Sequence, residues 1–137
     1  MANNDSLIGL VEVPKEQAQV MLEAGRFYHE MGNYQAAEDI YKGCSYLLQR
    51  SDVPLIFLGQ LYVSQDRFDE AIESYKKAIE IQPESAGAHV FLGEAYLLQG
   101  GTDQAIPLLE KAEQLDPEVA GEHARSLLEA QKLGVFS

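Results

Sequence analysis

The stretch "FDEAIESYKKAIEIQP", Phe68–Pro83, alternates charge with Ala, Ile and Tyr and stops at a proline. Ala71, Ile72, Tyr75, Ala78 and Ile79 fall at i, i+1, i+4, i+7 and i+8, the stripe of an amphipathic helix. Glu70, Glu73, Lys77 and Glu80 take the opposite face, with Glu73 and Lys77 at the i, i+4 spacing that favours an ion pair. At an offset of 34 residues, "TDQAIPLLEKAEQLDP", Thr102–Pro117, ends on the same cadence. Two copies of one phrase point to an array, and an array acts through the surface it builds.

The period holds outside these stretches. Gly25, Gly59 and Gly93 are spaced by 34, and Tyr28, Tyr62 and Tyr96 follow them by three. Ala37, Ala71 and Ala105 form a third column, Tyr41, Tyr75 and Leu109 a fourth, and Cys44, Ala78 and Ala112 a fifth. Each unit divides into two helices. The second unit reads "PLIFLGQLYVSQ", a turn at "DRF", then "DEAIESYKKAIEIQ", with Leu55, Leu58 and Tyr62 at helical spacing in its first helix. Two antiparallel helices approach closely only where one lacks a side chain, so the Gly and Ala columns predict contacts filled by flanking aromatic and Leu side chains.

Composition narrows the function classes. The chain has 137 residues, 46% of them hydrophobic, as expected for one globular domain. No apolar run approaches the roughly 18 residues that span a bilayer. The opening "MANNDSLIGLVEVPKEQ" has no basic region before its short apolar run, so no secretory signal is expected and the cytoplasm is the expected address. A lone cysteine, Cys44, in an apolar helical row reads as a small core residue in a reducing compartment. The net charge of −12 argues against nucleic acid and against anionic membrane surfaces as partners. No Gly-rich phosphate loop, CxxC pair or HExxH occurs; the histidines are His29, His89 and His123, and stacking sets His89 and His123 about a helix pair apart, so these two are not expected to share a ligand. No enzyme, cofactor or metal site is expected.

With its period of 34 and a helix–turn–helix in each unit, the chain resembles the tetratricopeptide repeat family. The family's aromatic-or-leucine, small, aromatic, alanine, aromatic, alanine, proline series falls on Leu58, Gly59, Tyr62, Ala71, Tyr75, Ala78 and Pro83. The expected fold is all-α: three tandem repeat units (18–51, 52–85 and 86–119 within 14–119) forming a short right-handed superhelix. An apolar arm (1–13) precedes them, and a capping helix with a tail (120–137) follows. Stacked repeats need such a cap, and Leu127, Leu128 and Leu133 are its expected apolar face, with Gly134 as a C-terminal stop. The departures are Gln49 in place of a closing proline, which lets the first unit's second helix run on to Ser51 or Asp52, an early His89, and Pro107 inside a helix.

The resemblance implies a concave surface lined by the first helix of each unit. Its inward positions are Gln19, Leu22, Glu23, Arg26 and His29 in the first unit, and Val53, Ile56, Phe57, Gln60 and Val63 in the second. In the third they are Gly87, Val90, Phe91, Glu94 and Leu97. Helices apolar on nearly all sides must be covered, and such a row left bare would form an unusually large patch. The expected partner is therefore a protein client with an apolar or amphipathic segment. Repeat proteins that clamp the acidic C-termini of heat-shock proteins use Lys, Arg and Asn inwardly. Here Leu22, Arg26, Phe57, Gly87 and Phe91 stand there, and Arg26 alone fits.

A small acidic three-repeat chain with an apolar groove looks like the type III secretion chaperones of bacteria, which mask hydrophobic segments of export substrates. The alternative is an adaptor that joins folded proteins through its acidic surface. Leu7, Ile8, Leu10 and Val11 in the arm have no repeat counterpart and are expected to make a homodimer or to fill the groove.

Overall fold

The computed structural model describes residues 13–136. The arm residues Leu7, Ile8, Leu10 and Val11 lie outside the described residues. Among those described there are seven helices and no strand: α1 (Lys15–Glu30), α2 (Tyr34–Leu47), α3 (Val53–Ser64), α4 (Phe68–Ile81), α5 (Ala86–Leu98), α6 (Thr102–Leu115) and α7 (Val119–Lys132). Each helix packs on the next, and α3 also meets α5 as α5 meets α7, so the odd-numbered helices form an inner layer.

The glycine column works as its spacing predicts. A Cβ on Gly25 would overlap the Tyr41 ring, and one on Gly59 the Tyr75 ring; at Gly93 it would lie 2.7 Å from Leu109 Cδ2. Ala37, Ala71, Ala105, Cys44, Ala78 and Ala112 are all fully buried, which brings the two helices of each unit together. Burial pushes the Cys44 thiol pKa up, away from the reactive thiolate.

The turn between paired helices recurs as well. Gly32, Asp66 and Gly100 hold the same column with φ of 81°, 58° and 81°. The amide of the next residue then donates back to Tyr28, Tyr62 or Tyr96, the bond that closes a helix in the left-handed region. Polar contacts join helices within a unit and unit to unit. Within the second unit Ser74 Oγ donates to the Leu55 carbonyl at 2.8 Å; between units Gln99 donates to Asp69 at 2.9 Å, and Arg67 pairs with Glu38 at 3.2 Å while lying over the Tyr62 ring. Burial, then the adjoining Glu38 carboxylate, pushes the Tyr62 phenol up to about 12.

Three local expectations change. Helix α2 stops at Leu47 and does not run on to Ser51, although no proline closes it. Helix α6 continues through Pro107 to Leu115. On the cap, Leu127 is buried and Leu128 half-buried, but Leu133 is exposed, because α7 ends at Lys132 and Leu133 sits in its closing turn. Gly134, with φ of 82°, provides the stop.

Candidate functional site

The inner layer carries a groove built on a repeated ring pair. Tyr41, seated on Gly25, stacks under Phe57 of the next unit with centroids 5.6 Å apart and planes at 22°. Tyr75, seated on Gly59, stacks under Phe91 in the same way, at 6.1 Å and 22°. Both tyrosines are buried and form the floor. Burial pushes the Tyr41 phenol up to about 12, against the pull of Arg26, and raises that of Tyr75 further, so both stay neutral. The Tyr41 hydroxyl is sealed from solvent without a hydrogen-bond partner.

Around these rings lies a hollow of about 520 Å³ walled by Arg26, His29, Glu30, Tyr34, Gln60, Val63, Ser64 and Glu94. It adjoins a second hollow of about 650 Å³, towards the N-terminal side, where Leu22, Gln19, Glu23 and Val53 face Leu48 and Ser51. Arg26 and Phe57 border both, so the two make one channel along α1 and α3 to α5. Its polar groups are held: His29 shares a 3.0 Å hydrogen bond with Ser64, and Arg26 approaches Glu30 at 4.0 Å. At the far end His123 of α7 meets Phe91 edge-on at 5.6 Å and lies 3.1 Å from a Glu94 carboxylate oxygen.

The expected groove residues divide. Leu22, Arg26, Val53 and Phe57 border the N-terminal hollow; Arg26, His29, Phe57, Gln60, Val63, Phe91 and Glu94 border the other. Ile56 faces neither; it packs against the core beside Gly87. Val90 and Leu97 are scaffold residues and not groove residues, at 2% and 1% exposure, packed with Leu109, Ala124 and Leu127. The physical reason is the cap: α7 packs on α5 and seals the face that the second unit leaves open.

Sequence reasoning missed the floor tyrosines as groove elements, because their column also reads as packing inside a pair. The signal was available: each precedes the Phe of the next unit by sixteen residues. It also missed His123, whose place follows from the cap and not from the repeat. The apolar character of α3 is largely explained by neighbours, since Pro54, Leu55, Leu58, Leu61 and Tyr62 are buried within the stack. Val53, Ile56, Phe57 and Val63 remain partly open among that helix's apolar residues, and of these Ile56 borders neither hollow. Among the described residues no cluster of three or more His, Cys, Asp or Glu is placed to hold a metal ion, and no helix is long and apolar enough to cross a membrane.

Family models agree with this architecture. The description "TPR repeat" matches residues 59–100 and "Tetratricopeptide repeat" matches residues 18–47 and 86–119. The chain belongs to the tetratricopeptide repeat family.

No curated protein matches the sequence. Solved structures do match the fold. The type III secretion translocator chaperone SycD of Yersinia enterocolitica superposes with a TM-score of 0.78 at 19% identity, over 90% of this chain and 98% of that one. PcrH of Pseudomonas aeruginosa gives 0.77 at 19% identity, over 88% and 96%. The first repeat domain of Spaghetti (RPAP3), bound to an HSP90 peptide, gives 0.72 at 21% identity, over 89% and 98%. The fold is thus that of translocator chaperones and of peptide-binding repeat domains alike.

Proposed function

We propose that this chain is a non-enzymatic, cytoplasmic chaperone of the bacterial type III secretion kind, which masks an apolar or amphipathic segment of a protein client in its groove. The observation that carries the reading is the pair of Tyr–Phe stacks facing a channel whose floor is neutral and apolar. An acidic peptide tail needs several cations, and Arg26, already near Glu30, is the inner-wall arginine. An apolar segment needs what Leu22, Phe57, Val63 and Phe91 offer, with Gln60 on the wall to fix register on a peptide backbone. SycD has been solved with a peptide of the translocator YopD, and PcrH with the chaperone binding region of PopB. Those neighbours support a client of the same class here.

The test is co-purification from the native host with mass spectrometry, comparing the parent with Phe57→Asp. The parent is expected to retain one dominant client at both 0.1 and 1 M salt, because apolar burial is not screened. The variant, helical by circular dichroism, is expected to lose it. Loss of the client from the parent at high salt would instead mark an acidic-surface adaptor, and retention by the folded variant would move binding elsewhere.

A further inference from the structure

An apolar groove by itself does not distinguish one apolar segment from another. Arg26, Gln60 and Glu94 stand in one column of the repeat, 34 residues apart, and all three border the hollow over the ring stacks. The same position of the inner layer is thus a cation on α1, a neutral amide on α3 and an anion on α5.

Glu94 is the half-buried carboxylate of the inner helices; Glu16, Glu23, Glu30, Glu122 and Glu129 are all exposed. Its side chain is 28% exposed, whereas that of Glu30, beside Arg26 at 4.0 Å, is 71% exposed and stays solvated. Elsewhere a sheltered carboxylate has fixed cations: Glu38 meets Arg67 at 3.2 Å and Lys42 at 3.7 Å. Among the described residues no Lys or Arg nitrogen lies within 4.0 Å of Glu94. His123 Nε2 is 3.1 Å from Oε2, and Oε1 makes no hydrogen bond among the described residues. The imidazole supplies a hydrogen bond there and not the permanent charge of a Lys or Arg.

Glu94 follows Phe91 by one turn on α5, and both border the hollow. Burial, then the Glu94 charge, raises the Tyr75 phenol, so that charge is felt on the groove floor. A segment lying over Phe91 therefore strips water from Glu94 as well. Burying an unpaired carboxylate is costly, and a cation set against it offsets the cost. A Lys or Arg suits both neighbours, because its methylene stem packs along the ring while its head reaches the carboxylate. At the other end of the column Arg26 repels the same cation.

Given the masking function, on which this rests, we propose that Glu94 selects the client. It receives a Lys or Arg carried at one end of the masked apolar segment, and that pair places the basic end of the segment at the capped end of the groove.

Selection from a random peptide library displayed on phage tests this with the full chain, Glu94→Gln, Glu94→Lys and Glu80→Gln. The last makes the same change of net charge as Glu94→Gln at an exposed site of α4. The parent and Glu80→Gln are expected to enrich apolar peptides that carry Lys or Arg at a fixed place. Glu94→Gln should enrich apolar peptides without that preference, and Glu94→Lys should favour Asp or Glu there. In one selected peptide, norleucine in place of the basic residue should weaken binding to the parent about tenfold and to Glu94→Gln less than about twofold. The norleucine comparison on the parent alters the peptide alone, so it stays decisive should a variant misfold. Apolar peptides with no basic preference on the parent, or a preference that survives in Glu94→Gln, would overturn the role of Glu94 and leave the masking function standing. A parent that enriches no apolar peptide would overturn the masking function itself, and this role with it.

Discussion

The two ring stacks of the groove share a geometry and differ in surroundings. Tyr41–Phe57 and Tyr75–Phe91 lie one period apart with the same 22° between planes, each Tyr resting on a glycine of its own unit. Phe57 borders both hollows, whereas Phe91 borders one and is met from the other side by His123. The repeat therefore sets the ring pair, and the end of the array sets how much of it stays open to the groove. A groove made this way has a closed end at α7 and an open one towards α1.

The largest effect comes from removing a floor from beneath its stack. Gly59→Val places side-chain atoms inside the Tyr75 ring, and in a buried site the ring has no free volume to enter. A loss of about 3 kcal/mol or more is expected by thermal or urea melting, with loss of the cooperative transition at the extreme. Gly43→Ala is the control. A Cβ there meets nothing within 4 Å, so the gain in helix propensity should stabilise by about 0.5–1 kcal/mol. If both substitutions behaved alike, the glycine columns would not be setting the groove floor.

Next in size is the contrast between the rings themselves. Phe57→Ala removes a ring that borders both hollows and, on the proposed function, should weaken client binding tenfold or more. Phe91→Ala, with one face already against His123, should weaken it only a few-fold, although both variants lose about 2–3 kcal/mol of stability. Titration of a fluorescent client peptide, once the client is identified, measures both. Equal losses would show that the cap does not shorten the usable groove.

A smaller effect tests the cap. Asp116 accepts hydrogen bonds from the amides of Ala120, Val119 and Glu118 at 3.2 Å, and those bonds, Ala120 first, hold its carboxyl below the usual carboxylate range. Because the folded value is the depressed one, its stabilising contribution is complete above the ordinary carboxylate range of about 4 and fades as pH falls through the folded value. Asp116→Ala should lower Tm slightly at pH 7 and flatten its fall in acid. An unchanged acid limb would mean that other carboxylates govern it.

These contrasts also explain what the sequence could disclose. Columns that repeat by 34 were legible because each serves the same local contact in each unit: Gly59 against Tyr75, and Ala71 and Ala78 between helices. Val90 and Leu97 were not, because their burial depends on α7, which follows no period, and an array read by its columns treats its last unit like its middle one. The sealing of Leu58 and Leu61 likewise requires the neighbouring helix in three dimensions. Leu133 was misread for a simpler reason. Helical spacing carried the cap's apolar row to Leu133, one residue past Lys132, where α7 ends.

The smallest expected effect concerns the one turn that breaks its column. Gly32 and Gly100 close α1 and α5 in the left-handed region, where glycine is unstrained, but Asp66 closes α3 there with φ of 58° and carries a Cβ. Asp tolerates this conformation better than most residues, so the strain is modest, and glycine adds entropy to the unfolded chain. The difference should still favour glycine, because the neighbouring amide bonds, Arg67 to Tyr62 and Asp66 to Val63, already fix the turn. Asp66→Gly is expected to stabilise by about 0.5 kcal/mol, and Asp66→Val to destabilise by more than Asp66→Gly gains, both read from urea midpoints at constant slope. A destabilised Asp66→Gly would show that the carboxylate does something at this turn that glycine cannot, and that the second unit differs from its neighbours in more than side-chain choice.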